Sequence, residues 1–185
     1  MKKLTLIIAA VVMGFAFTAC SGPSKDAILN EVSAFFTKAQ TDIQAIDNAE
    51  ELVNFVTTFD DKKNEFLNSL AEKFEIKDDQ FVGFSEEENA EIMNKISEMS
   101  TEYHKVEYAK CGEIMTPYIE KYDSIVKALN EKFEAGEEFP EEMVDQLKEA
   151  YNDITKYAEI VPEELANVFY ADDEIVAKLF PQPEE

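Results

Sequence analysis

The chain has 185 residues, enough for one domain with a real core, and sets 40 acidic side chains against 17 basic ones for a formal net charge of −23. Such a charge repels DNA, RNA and anionic lipid headgroups, because binding a phosphate backbone takes a basic patch that displaces counterions. It suits a basic protein or peptide instead. Disorder, the other habit of acidic chains, is opposed by 14 Phe and 7 Tyr. A single His, no Trp and five Gly narrow the chemistry further, and neither GxGxxG nor GxxxxGK[ST] occurs.

The chain opens with Lys2 and Lys3, an almost unbroken apolar run from Leu4 to Phe17, and the small residues Thr18 and Ala19 before Cys20. That order is the layout of a secretory signal. The apolar run is short for a permanent span, which takes about 20 apolar residues. The segment Phe17-Thr18-Ala19-Cys20 resembles the lipobox of bacterial lipoproteins. The resemblance implies cleavage before Cys20, a diacylglyceryl thioether on its sulfur and an acylated amine. That family prefers Leu three residues before the cysteine, where this chain has Phe17. One acyl chain binds membranes marginally, whereas two or three anchor stably. Ser21 stands where an Asp would signal retention in the inner membrane, and residues 22–26 lack the strong acidic patch that resembles a surface-export signal. The expected address is therefore the periplasmic face of the outer membrane. With Cys20 lipidated, Cys111 has no disulfide partner.

From Asp26 the apolar residues Ile28, Leu29, Val32, Phe35, Phe36, Ala39, Ile43 and Ile46 repeat every three or four positions, one face of an amphipathic helix with Ser24 as its N-cap. Asp47-Asn48 breaks the pattern and offers the next cap. A second helix then shows Leu52, Phe55, Val56, Phe59, Phe66, Leu67, Leu70 and Phe74, with an apolar gap from Asp60 to Lys63. So short a connection makes the two helices antiparallel neighbours. Residues 76–84 read as a loop from which Phe81 and Phe84 tuck back, and no hairpin signal is visible. Ser85 with Glu88 is a capping box.

From there a helical pattern runs almost to Ala135, with Gly136 as terminator. Pro117 lies in its middle and predicts a kink. The stripe His104, Tyr108, Cys111, Met115, Ile119, Tyr122, Val126, Leu129, Phe133 keeps its phase across that point, which favours one long kinked helix over two. Pro140 opens another helix with the face Val144, Leu147, Tyr151, Ile154, Ala158 and Val161. Pro162 restarts the chain with Leu165, Val168 and Phe169, and Asp172-Asp173 cap a last piece carrying Ile175, Val176, Leu179 and Phe180.

Three constellations carry chemistry worth naming. His104, Cys111 and Met115 are soft ligands on one expected face and would suit copper(I) or haem iron, the competing reading being a plain core stripe. His104-Lys105-Val106-Glu107 has an HxxE spacing similar to part of the motif of imelysin-like periplasmic helical proteins. The Gly two places before that His is absent here, where Glu102 stands, so no role carries over. Acidic runs at 86–88, 137–142, 163–164 and 172–174 mark expected helix starts, where negative charge is favoured, more than any calcium loop. His104 is the only imidazole, which leaves no Ser or Cys with a convincing base.

The expectation is an all-α, antiparallel bundle of four to five main helices, one of them long and kinked near Pro117. Residues 1–19 are the signal peptide, 20–25 a lipidated tether, 26–180 one helical domain and 181–185 a disordered tail. The expected function is a non-enzymatic binding or structural module, tethered to the membrane at Cys20 and meeting a basic protein or peptide. No cofactor and no nucleic-acid partner is expected. The alternative is a copper- or haem-handling protein using His104, Cys111 and Met115.

Overall fold

The computed structural model describes residues 24–166, apart from 79 and 164. The expected export signal, the expected lipidation site Cys20, the last expected helix and the expected disordered tail lie outside the described residues. Within them the chain is all-α, with four helices and one minimal hairpin.

Helix α1 (Lys25–Gln44) starts where expected, the Ser24 hydroxyl accepting the Ala27 N–H at 3.2 Å. Ile28, Val32, Phe36, Ala39 and Ile43 are its buried face. Asn48 then caps α2 (Ala49–Phe74) by accepting the Glu51 N–H at 2.9 Å. The charged gap at Asp60–Lys63 does not interrupt this helix. Both side chains join on its surface at 2.8 Å while Phe59 and Leu70 stay buried.

Residues 76–84 hold a hairpin that periodicity did not reveal. Strand β1 (Ile76–Lys77) pairs antiparallel with β2 (Gln80–Phe81), Ile76 opposite Phe81 and Lys77 opposite Gln80. Two residues per strand are too few to show alternation. Glu75 and Asp78 take left-handed backbone, φ +49° and +51°, to reverse the chain here. Asn89, the only buried polar side chain among the described residues, locks the hairpin down. Its Oδ1 accepts the Phe81 N–H at 2.8 Å, and its Nδ2 donates to the carbonyls of Phe81 (3.2 Å) and Ser85 (3.2 Å).

Helix α3 (Glu86–Glu134) is 49 residues long, about 70 Å at the usual rise. The Ser85–Glu88 capping box forms in both directions. The Ser85 backbone N–H holds the Glu88 carboxyl below its ordinary value, so the box is complete above about pH 4.5 and weakens as acid protonates it. Pro117 lies inside the helix without ending it. It leaves the Glu113 carbonyl without its usual donor, while Thr116 Oγ1 donates to the Gly112 carbonyl at 2.7 Å. At the far end Gly136 takes φ +69° as the Gly136 and Glu137 N–H groups bond Phe133 and Lys132 carbonyls, a Schellman closure. Helix α4 (Glu141–Lys156) follows, with Pro140 at its N-cap, one place before the expected first turn; a 3-10 turn (Ala158–Ile160) comes next, and the backbone turns helically again after Pro162.

The packing defines a body and an arm. The start of α1 is tied to the start of α3 by Lys25–Glu91, and to the end of α2 by Glu31–Lys73. So α1 runs parallel to the first half of α3, and α2 antiparallel to both. Their core holds Ile28, Val32, Phe36, Phe59, Ile92 and Tyr103. The second half of α3 packs on α4, with Ile119, Tyr122, Val126 and Leu129 against Leu147, Ala150 and Ile154, and Val161 and Leu165 close by. At the waist between them, Ile43, Leu52, Met115 and Ile160 close a third cluster.

Asn89→Ala strips buried partners from the hairpin and should cost about 2–3 kcal/mol in urea unfolding, more than an exposed polar substitution. Pro117 is exposed. Restoring the helix N–H with Pro117→Ala should therefore raise the unfolding free energy, by up to about 3 kcal/mol, read from urea unfolding followed by circular dichroism.

Candidate functional site

Two of the three residues singled out for ligand chemistry meet at an open groove of about 250 Å³ beside the waist. His104, Glu107, Tyr108 and Cys111 line it from α3, Val56 from α2, and Glu159 to Glu163 from the segment after α4. His104 does not join the core: its side chain is 56 % exposed and its Nδ1 lies 3.1 Å from Glu107 Oε2. Cys111 is buried at the floor. Met115 is elsewhere, fully sealed among Ile43, Leu52 and Ile160. The structure thus brings two of the three soft ligands to one opening. Among the described residues no three His, Cys, Asp or Glu side chains are arranged to hold a metal ion.

The expected stripe needs correction at both ends. His104, Tyr108 (46 % exposed) and Phe133 (42 % exposed) are not core residues. Tyr103, not named in the stripe, is fully buried, stacked on Phe59 at 4.1 Å and edge-on to His104 at 5.2 Å. The face of α3 that is buried turns along its length, since its first half packs on α1 and α2 and its second half on α4. No single phase read from sequence can follow that change.

The groove's chemistry is muted. The Tyr103 hydroxyl meets no partner at hydrogen-bonding geometry. Burial, then the Glu107 carboxylate, push its ionisation far above the ordinary phenol range. Burial likewise drives the Cys111 thiol up to about 11, with Glu107 adding to the effect. Neither is a nucleophile near neutrality.

A different feature lies at the end of the arm. Glu131 and Glu134 close α3, Glu137 and Glu138 follow in the turn, and Glu141 and Glu142 open α4, all exposed. Lys132, the one basic residue between 131 and 142, is already bound to Glu137 at 2.9 Å. Phe133 and Phe139 sit among these carboxylates with ring centroids 6.3 Å apart. Charge runs at helix starts were legible in the sequence, but their convergence with the end of α3 was not. No protein-family model, curated protein or solved structure matches the chain.

With its pKa near 11 instead of 9, Cys111 should alkylate at pH 8 about a hundredfold more slowly than an unperturbed thiol, and accelerate up to about pH 11. A rate matching free cysteine would contradict this. Tyr103→Phe has at most a poorly aligned contact with the Glu107 carboxylate to lose, so the unfolding free energy should stay within about 1 kcal/mol of the parent or rise.

Proposed function

We propose that this chain is a lipid-anchored cell-envelope binding module. Residues 1–19 act as the export signal and Cys20 carries the acyl chains. The body stands on the periplasmic face of the outer membrane, and the acidic end of the arm engages a basic protein or peptide. The observation that carries this reading is the group of exposed carboxylates where α3 turns into α4, at the end of the arm away from Ser24. Cys20 precedes the α1 cap Ser24 by four residues, a reach of at most about 14 Å. The start of α1 lies beside Glu91, so Glu131 is about 60 Å further along α3, with Glu137 to Glu142 in the turn and α4 start beyond it. A tether at one end leaves the acidic end free of the membrane, where it attracts a cationic partner and speeds encounter.

The groove supports an enzymatic reading poorly, because its one thiol, Cys111, is buried and held protonated near neutral pH. The copper or haem reading has less support than the binding module. It asks His104, Cys111 and Met115 to face one ligand, whereas Met115 is sealed in the waist.

Two measurements test the proposal. Mass spectrometry of the chain from its own host should find the mature protein beginning at an acylated Cys20, and an unmodified thiol there sinks the anchoring half. For the binding half, replacing Glu131, Glu134, Glu137, Glu138, Glu141 and Glu142 with Gln should weaken capture of a lysine-rich peptide by about tenfold or more at low salt. Equal binding by parent and variant removes the arm as the docking surface.

A further inference from the structure

We infer that the arm is hinged on the body. It pivots where α3 passes from Gly112 to Pro117 and where the chain returns at Tyr157, and the motion opens and closes the groove over Cys111. Three residues soften α3 within two turns. Pro117 offers the Glu113 carbonyl no N–H, and the Thr116 hydroxyl donates back to the Gly112 carbonyl at 2.7 Å, a contact that bends helices. Glycine is a weak helix former, yet a Cβ at Gly112 would meet nothing within 4 Å, so close packing does not call for it.

The packing changes at the same level. Met115 is sealed in the waist cluster, whereas Ile119, one turn on, belongs to the arm cluster. Among the described residues the chain crosses this level once more. Helix α4 ends at Lys156, and Tyr157 leaves the helical region with φ −117° and ψ +27° before Ile160 enters the waist. The two crossings touch, Tyr118 lying edge-on to Tyr157 with ring centroids 5.8 Å apart. The side chains that pack on both clusters are Tyr118, Val161 and Leu165, each only half-buried. Two interruptions of the backbone at one level, with the sealed side chains on either side of it, define a hinge axis.

From Pro117 to Glu134 the arm runs about 25 Å, so a pivot of about 20° carries its acidic end about 9 Å. The groove lies against the axis. Val56, His104, Tyr108 and Cys111 form its wall on the body, and Glu159 and Pro162 form the other on the returning segment. That segment is tied to the waist by Ile160 and to the arm by Val161, so turning the arm moves its wall over Cys111.

Relaxation-dispersion NMR on the full chain reads the pivot. Amides of 112–121 and of 157–161 should exchange on the microsecond-to-millisecond scale with one shared rate constant, and amides of 26–40 in α1 should show no exchange. Flat profiles at either crossing overturn the inference, and so do unrelated rates at the two. Gly112→Ala with Pro117→Ala should quench the exchange at both crossings, although it alters only the first, and exchange that persists at 157–161 counts against a common axis. Cys111 reports the groove. At one fixed pH its alkylation should fall about tenfold in that double variant and stay within about twofold in Asn89→Ala, which loosens the hairpin at the far end of the body. An unaltered rate in the double variant, or a rise of about thirtyfold in Asn89→Ala, would show that the thiol is reached by global unfolding and not by the pivot.

Discussion

The structure depends on the continuity of α3 through Pro117. Every hydrophobic cluster among the described residues draws on this one helix: Ile92 and Tyr103 in the body, Cys111, Ile114 and Met115 at the waist, Ile119 to Leu129 in the arm. A proline inside a helix removes one hydrogen bond and crowds the preceding turn, a penalty of about 3 kcal/mol relative to alanine. Burial on both sides of Pro117 offsets it. Met115 and Ile119 are each almost fully covered, and a buried side chain of that size contributes about 1.5–3 kcal/mol. Breaking the helix would detach the arm from the body, so the packing holds the helix whole.

The two halves are stabilised differently. The body has three helices, an aromatic stack that runs from Phe66 and Phe35 to Phe59 and Tyr103, and a hairpin pinned by a fully bonded Asn89. Among the described residues the arm is built on the seam between α3 and α4, and its end is crowded with like charge. Ion pairs do little to redress this, since most are exposed neighbours on one helix and worth a few tenths of a kcal/mol each. The carboxylates at the end of the arm would be relieved by a cationic partner laid against them. The fold does not choose between inert scaffold and binding protein. The placement of its charges is what favours the second.

Capping chemistry was the most legible feature. Ser24, Asn48 and the Ser85–Glu88 box all cap as read, and Gly136 ends α3, because each acts on backbone groups within a few residues of itself. The hairpin was missed because its order comes from a distant group, the amide of Asn89, and not from alternation. The candidate site was half legible. His104 and Cys111 do share a groove, while Met115, one turn beyond Cys111, faces the waist instead. Tyr103 and Glu107, which set the electrostatics of that groove, gave no pattern that would single them out.

What the sequence alone determined is local and periodic: where helices start and stop, that they are helices, that their surface is strongly acidic, and that the long one survives its proline. Those follow from hydrogen bonds and side-chain spacing within a turn or two. What only the tertiary structure decided is which side of α3 is inside at each level, and hence that His104 is exposed while Tyr103 is buried. That choice belongs to the neighbours, because a helix buries whatever face its partners cover, and α3 changes partners at its midpoint.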